Sequence, residues 1–254
     1  VLEQFFCSHP ETTGKPEFAA LGKKCMIDVH LFGQAFTIDI TILIASWIAI
    51  LIILIGALIL RKGLNLAGDL QEVPSKRQAF LEGIVLFFQD QVSSGFQTKE
   101  FALTFFPFIA TIGLYILVSN WIGLIPGLEP PTMDINVALG MGLVVFITAQ
   151  YYGLKKKGLH RLKEFLGPFP NSPAAIFFLF LEVIGEFSKL LSHSFRLFGN
   201  LNGKVILIGV FSVLLPPVVY ILLIFNGVFL AAIQAMVFML LAIVYISLAA
   251  EGGH

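Results

Sequence analysis

Seven polar side chains recur at helical spacing in an otherwise apolar run, 182–204: Glu182, Glu186, Lys189, His193, Arg196, Asn200 and Lys204. At 100° per residue, steps of four, three, four, three, four and four keep them within an arc of about 80°. Five of the seven carry formal charge. A charge at mid-bilayer costs about 2.5–3.5 kcal/mol on insertion scales, so five turned to lipid would cost on the order of 12–17 kcal/mol. They must face protein, water or one another. At 1.5 Å per residue the stripe is about 33 Å long, close to the hydrocarbon thickness of a membrane. That length and those residue types suit the passage of an ion.

Arg196 is the centre of the stripe's chemistry. A guanidinium stays protonated in proteins, so Arg196 acts as a fixed positive charge and not as a proton shuttle. Such a charge within a membrane needs an anion. Glu182 and Glu186 lie about 21 and 15 Å away along the helix axis, too far to pair with it. Lys189 is within reach of Glu186, three residues back, and of Glu182, seven back. The stripe therefore lacks an anion near Arg196, which points to a carboxylate from another subunit.

The elements that must position these groups are membrane spans. The 254 residues are 57 % hydrophobic and 13 % charged, with a mean hydropathy of +0.90. A soluble domain carries about twice that charged fraction, so the expected class is an all-α, polytopic integral membrane protein. The long, continuous apolar runs argue against barrel strands. Residues 1–36 read as a polar, extracytoplasmic N-terminal segment and 37–254 as the membrane domain. Spans are expected at about 38–60, 101–125 and 135–152, with an amphipathic helix at the interface over 78–97. The last two segments, 173–214 and 218–249, are too long to stand upright in about 30 Å of hydrocarbon, so they form a strongly tilted hairpin turning at Pro216 and Pro217.

Basic loops follow the first span (Arg61, Lys62) and the third (Lys155, Lys156, Lys157, Arg161, Lys163), while the loop after the second holds Glu129 and Asp134. The positive-inside rule then sets the N-terminus outside and the C-terminus in the cytoplasm. Sixteen basic residues against sixteen acidic ones leave no nucleic-acid footprint. Cys7 and Cys25, outside the cytoplasm on this topology, are either a disulfide or two free thiols. Val1 in first place leaves two readings, a removed leader or an unrecorded start. Neither a metal motif nor a nucleophile–base pair is visible, so no cofactor and no bond chemistry are expected. The segment Gly199 to Lys204 resembles a phosphate loop but is one residue short, lacks Ser or Thr after Lys204 and lies inside a membrane segment.

The run Ser194-Phe195-Arg196-Leu197-Phe198-Gly199-Asn200 resembles the signature of subunit a, the membrane stator of rotary F-type ATP synthases. The likeness extends to Ser119-Asn120-Trp121-Ile122-Gly123-Leu124-Ile125-Pro126 and to Pro131-Thr132-Met133-Asp134-Ile135-Asn136. Near the end it takes in Gln234-Ala235-Met236-Val237-Phe238 and Ile243-Val244-Tyr245-Ile246-Ser247, so that it covers roughly 40–250. The resemblance implies an Arg facing the carboxylates of a rotating c-ring between two offset aqueous half-channels. It also implies a complex that includes the c-ring, peripheral stalk subunit b and the remaining F1Fo subunits, set in lipid. A bacterial inner membrane is the expected location, with the mitochondrial inner membrane as the alternative.

Residue by residue, the resemblance makes Arg196 the gate, Gln234 its facing partner, and Glu182 and Lys189 the acidic and basic positions on the Arg helix. Asn200 is either a donor to the rotor carboxylate or a packing amide. His193 is either a relay or a hydrogen-bonded spacer, and Glu186 is a further polar position. Many relatives carry an ionisable pair where this chain has Val205 and Gly227, neither of which titrates. Lys204 and Asn226 stand beside those places and are the candidates to replace the pair, the alternative being a wetted polar cavity. Proton and Na+ both fit. The rival function, a secondary ion transporter or antiporter, fits less well, since such folds show internal repeats with broken helices in both halves.

Overall fold

The computed structural model describes residues 26–31, 34–63, 76–125, 128–158 and 174–250. Within these, five helices are long and apolar enough to cross a membrane, as the composition requires. Strands β1 (Met26–Leu31) and β2 (Gln34–Asp39) pair antiparallel, from Met26 opposite Asp39 to Leu31 opposite Gln34. The polar N-terminal segment thus ends in a hairpin, an addition to the sequence reading. Cys7 and Cys25 lie outside the described residues.

Helix α1 (Ile40–Gly63) follows the hairpin without a loop. Asp39 makes the junction, its Oδ1 accepting from the Thr41 N–H at 3.0 Å in the manner of an N-cap. Helix α2 (Lys76–Gly95) is not among the span-forming helices, in keeping with its mixed composition. Its end, with Val92 and Phe96, packs into a core of Phe105, Ile109, Met239, Ile243 and Ile246. Helix α3 (Lys99–Ile122) contains Pro107, which membrane helices tolerate when neighbours re-satisfy the backbone.

Between α3 and α4 (Ile135–Lys157) the chain makes one 3-10 turn, Pro131–Met133. Asn120 Oδ1 accepts from Thr132 Oγ1 at 2.9 Å, both side chains fully buried, so two of the motifs read from sequence are joined by one hydrogen bond. Asp134 caps α4, accepting from the Asn136 N–H at 2.7 Å. Gly158, at φ +57°, ends it where a side chain would be strained.

Helix α5 (Ala174–Leu214) has 41 residues, or about 61 Å at 1.5 Å each. Leu215 breaks the helix (φ −146°, ψ 72°) and Pro216 takes the first position of α6 (Pro216–Ile224), where a missing N–H costs nothing. A π-helical stretch, Phe225–Leu230, joins α6 to α7 (Ala231–Ala250) without interruption. The second arm of the hairpin is therefore one long rod with an over-wide turn in it.

Helix α7 is the centre of the bundle. In the apolar window of its rod 44 % of residues are buried, against 11 % for α5 and for α1, so most of α5 is surface. A second core cluster, Ile116, Ala138, Val145, Leu197, Leu201, Ala235, Phe238 and Ala242, fixes α5 between α4 and α7. Close approach depends on two glycines. A Cβ on Gly142 would run into Ser194 Oγ of α5, and one on Gly113 into the Met239 thioether of α7, the small-residue packing usual where lipid supplies no hydrophobic drive.

Candidate functional site

The charged stripe of α5 runs along the seam between the buried and the open side of that helix. Leu197 is fully buried while Arg196 beside it is exposed. No carboxylate pairs with Arg196 among the described residues; the ion pair on the same helix joins Lys189 and Glu186. Among the described residues, the guanidinium on the outer flank of α5 thus has no paired anion.

On one side of Arg196 the stripe is bound to α4. Lys189 Nζ lies 2.7 Å from Glu186 Oε1, and Gln150 Nε2 donates to Glu186 Oε2 at 2.9 Å. Both carboxylate oxygens are engaged, and the side chain is only 18 % exposed. Glu182, one turn earlier, is exposed. His193 turns inward and is 2 % exposed, its ring 3.8 Å from that of Phe238 and 5.5 Å from that of Tyr245. Neither ring nitrogen has a hydrogen-bond partner.

On the other side the stripe meets α7. Asn200 Nδ2 donates to Gln234 Oε1 at 2.5 Å, so Gln234 engages Asn200, one turn beyond Arg196. Next to this pair lies a cavity of about 310 Å³ lined by Asn120, Asn200, Lys204 and Gln234 and bordered by Gly199 and Gly203. Two buried amide nitrogens of its lining residues, Asn120 Nδ2 and Gln234 Nε2, are without partners. Buried donors of this kind are normally met by water or a ligand. The pocket thus offers donors and acceptors of the kind that hold water.

Of the two places lacking an ionisable pair, packing accounts for one. Val205 is 47 % exposed on the outer flank of α5. Gly227 is buried in the π-helical stretch, where a Cβ would run into Leu124. The side chain of Asn226 lies outside the described residues. No group of three or more His, Cys, Asp or Glu side chains is placed to hold a metal among the described residues.

Structure adds three residues that the stripe's periodicity could not supply. Asn120 and Gln150 belong to α3 and α4, and Ser119, fully buried, has an unpartnered hydroxyl beside Asn120. A signal for them existed, since each is a polar side chain within an apolar span.

Comparison with known proteins places the bundle. A family model described as ATP synthase A chain matches residues 43–247. The chain is 41 % identical over 209 residues to the ATP synthase subunit a of Geotalea daltonii, covering 82 % of this chain and 87 % of that one. For the protein of the same name from Geotalea uraniireducens the identity is 40 % over 211 residues, and for that from Geobacter sulfurreducens 39 % over 209 residues. Each comparison again covers 82 % of this chain and 87 % of the relative. The resemblance read from the Arg196 motif and its companions is borne out, and the chain belongs to the ATP synthase A chain family.

Proposed function

We infer that the chain is the ion-translocating stator subunit of a rotary F-type ATP synthase in a bacterial plasma membrane. Arg196 is its electrostatic gate against the carboxylates of a c-ring. The observation that carries this reading is the exposed Arg196 side chain, which has no carboxylate of its own among the described residues. A rotor carboxylate crosses lipid neutral, carrying its proton or Na+. Beside Arg196 the charged form is favoured, since an opposite charge within about 4–6 Å lowers a carboxyl pKa by roughly 1–3 units. The ion leaves to one half-channel, and the site reloads from the other after the ring has turned. The fixed charge also blocks direct leakage between the two.

The half-channel assignments follow from position. With the N-terminus outside, Glu182 lies toward the cytoplasm and lines the inner path. The cavity of Asn120, Asn200, Lys204 and Gln234 forms the outer path, a wetted polar route in place of a titratable pair. Glu186, paired with Lys189 of its own helix, holds α4 against α5 through Gln150, and His193 spaces α5 from α7. The chain makes and breaks no bonds; ATP forms elsewhere in the complex, which includes the c-ring and peripheral stalk subunit b.

The test is ATP-driven ion pumping by the assembled complex in inverted vesicles. Losing an effect of 1–3 pKa units slows ion release about 10- to 1,000-fold, so Arg196→Ala should abolish coupled pumping while the subunit stays in the complex. Normal pumping by that variant would overturn the assignment. Running the wild-type complex with and without sodium identifies the ion.

A further inference from the structure

A second cavity with a polar rim, away from the charged stripe of α5, lies where α3 begins and α4 ends. Its volume is about 350 Å³, and it is lined by Phe101 and Thr104 of α3 and by Tyr152, Lys155 and Lys156 of α4. Lys156 Nζ lies 4.1 Å from the centroid of the Phe101 ring, and Lys155 Nζ lies 5.8 Å from that of Tyr152. The Tyr152 ring is itself held edge-on against Phe105, centroids 4.6 Å apart. Among the described residues no carboxylate pairs with Lys155 or Lys156. Aromatic faces steady an ammonium group without neutralising it, so the site joins an apolar floor to two uncompensated cations at its rim. It lies at the end of the spans that the positive-inside rule assigns to the cytoplasm.

A ligand complementary to both parts must be anionic at one end and apolar at the other, and the membrane supplies one. We propose that this cavity binds an anionic phospholipid of the adjacent leaflet, its phosphate between Lys155 and Lys156 and the start of an acyl chain against Phe101, Thr104 and Tyr152. Basic pockets between spanning helices at the cytoplasmic surface are suited to such headgroups. The assignment does not depend on the ion path and stands or falls separately from it.

The test uses the whole complex isolated from membranes, with retained phospholipids counted by mass spectrometry. The Lys155→Gln/Lys156→Gln double variant should lose bound anionic phospholipid and keep its zwitterionic lipid, whereas Lys155→Arg/Lys156→Arg should retain both. At about 1 kcal/mol per basic residue near an anionic surface, retitration of the delipidated complex with phosphatidylglycerol should show roughly 30-fold weaker binding for the Gln variant. Inorganic phosphate should not displace the lipid. Unchanged anionic lipid in the Gln variant would overturn the proposal, as would equal displacement by phosphate, which would make this a free-anion site. Loss of another subunit with lipid retained would mark a protein contact instead and equally overturn it. In the unaltered complex, photoactivatable phosphatidylglycerol should label residues 101–104 or 152–156, and labelling confined to other segments would exclude the site.

Discussion

Glu186 separates a clamp from a relay, because a carboxylate on the charged stripe could serve either role and the two respond oppositely to an amide replacement. Its Oε2 accepts from Gln150 Nε2 at 2.9 Å across the α4–α5 interface, and its Oε1 pairs with Lys189 Nζ at 2.7 Å. The Lys189 side chain is 42 % exposed, so this i,i+3 pair contributes only about 0.3 kcal/mol. The bond across the helices contributes about 0.6 and at most about 1.7 kcal/mol. Glu186→Ala removes both, or about 1–2 kcal/mol, and should lower the melting midpoint of the isolated complex. Glu186→Gln keeps an acceptor for Gln150 and loses only the ionic part, so its ATP-driven pumping should stay within about twofold of the wild type. Stopped-flow measurement of the pH change inside inverted vesicles, or sodium flux if that is the ion, reads the difference. A tenfold or larger loss of pumping in Glu186→Gln, with its melting midpoint unchanged, would refute the clamp and restore Glu186 to the ion path.

Two further outcomes follow from the packing around the same helix. Gly142→Ala forces a Cβ against Ser194 Oγ, where overpacking costs about 1–3 kcal/mol, and should reduce both thermal stability and pumping. Ser194→Ala in the same chain should restore most of the loss, because the next nearest atom, Leu190 Cδ1, stands at 3.3 Å; absence of rescue would disprove the contact. Thr132→Val removes the one donor to buried Asn120 Oδ1 with little change of volume and should cost about 1–3 kcal/mol in thermal unfolding of the complex. A midpoint identical to the wild type would mean that water replaces the bond.

The charges of α5 were legible from sequence because a period of 3.6 in a single helix needs no tertiary information. The apolar runs gave the spans for the same reason, and the helices begin and end within a few residues of them. What the helix stripe could not give was its radial position. Periodicity put His193 and Arg196 on one face, but an arc of about 80° is wide enough for its edges to differ, and burial against Phe238 turned one in while the other stayed out. Gln234, expected to face Arg196, has its Oε1 on Asn200 one turn along, a contact between helices that neither sequence segment shows by itself. The hairpin of β1 and β2 went unread because its alternation is short. The partners on α3 and α4, Asn120 and Gln150, became visible only when the fold brought them to the stripe.

Leu124 connects the missing titratable pair to the polar cavity. An ionisable side chain at 227 needs the space that Leu124 fills, and Leu124 belongs to the turn that follows α3, two residues after that helix ends. The same end of α3 carries Asn120, which Thr132 holds so that one amide nitrogen remains free. A π-helical turn adds one residue to the helical repeat and shifts the side chains beyond it around the axis. The turn Phe225–Leu230 therefore decides which face of α7 meets α5, and the face it presents carries Gln234. Filling position 227 from outside and turning Gln234 toward Asn200 are consequences of one arrangement of three helices. On the function proposed above, we place the outer route one residue along, at Lys204 in place of Val205, and carry it by amides and water in place of the ionisable pair.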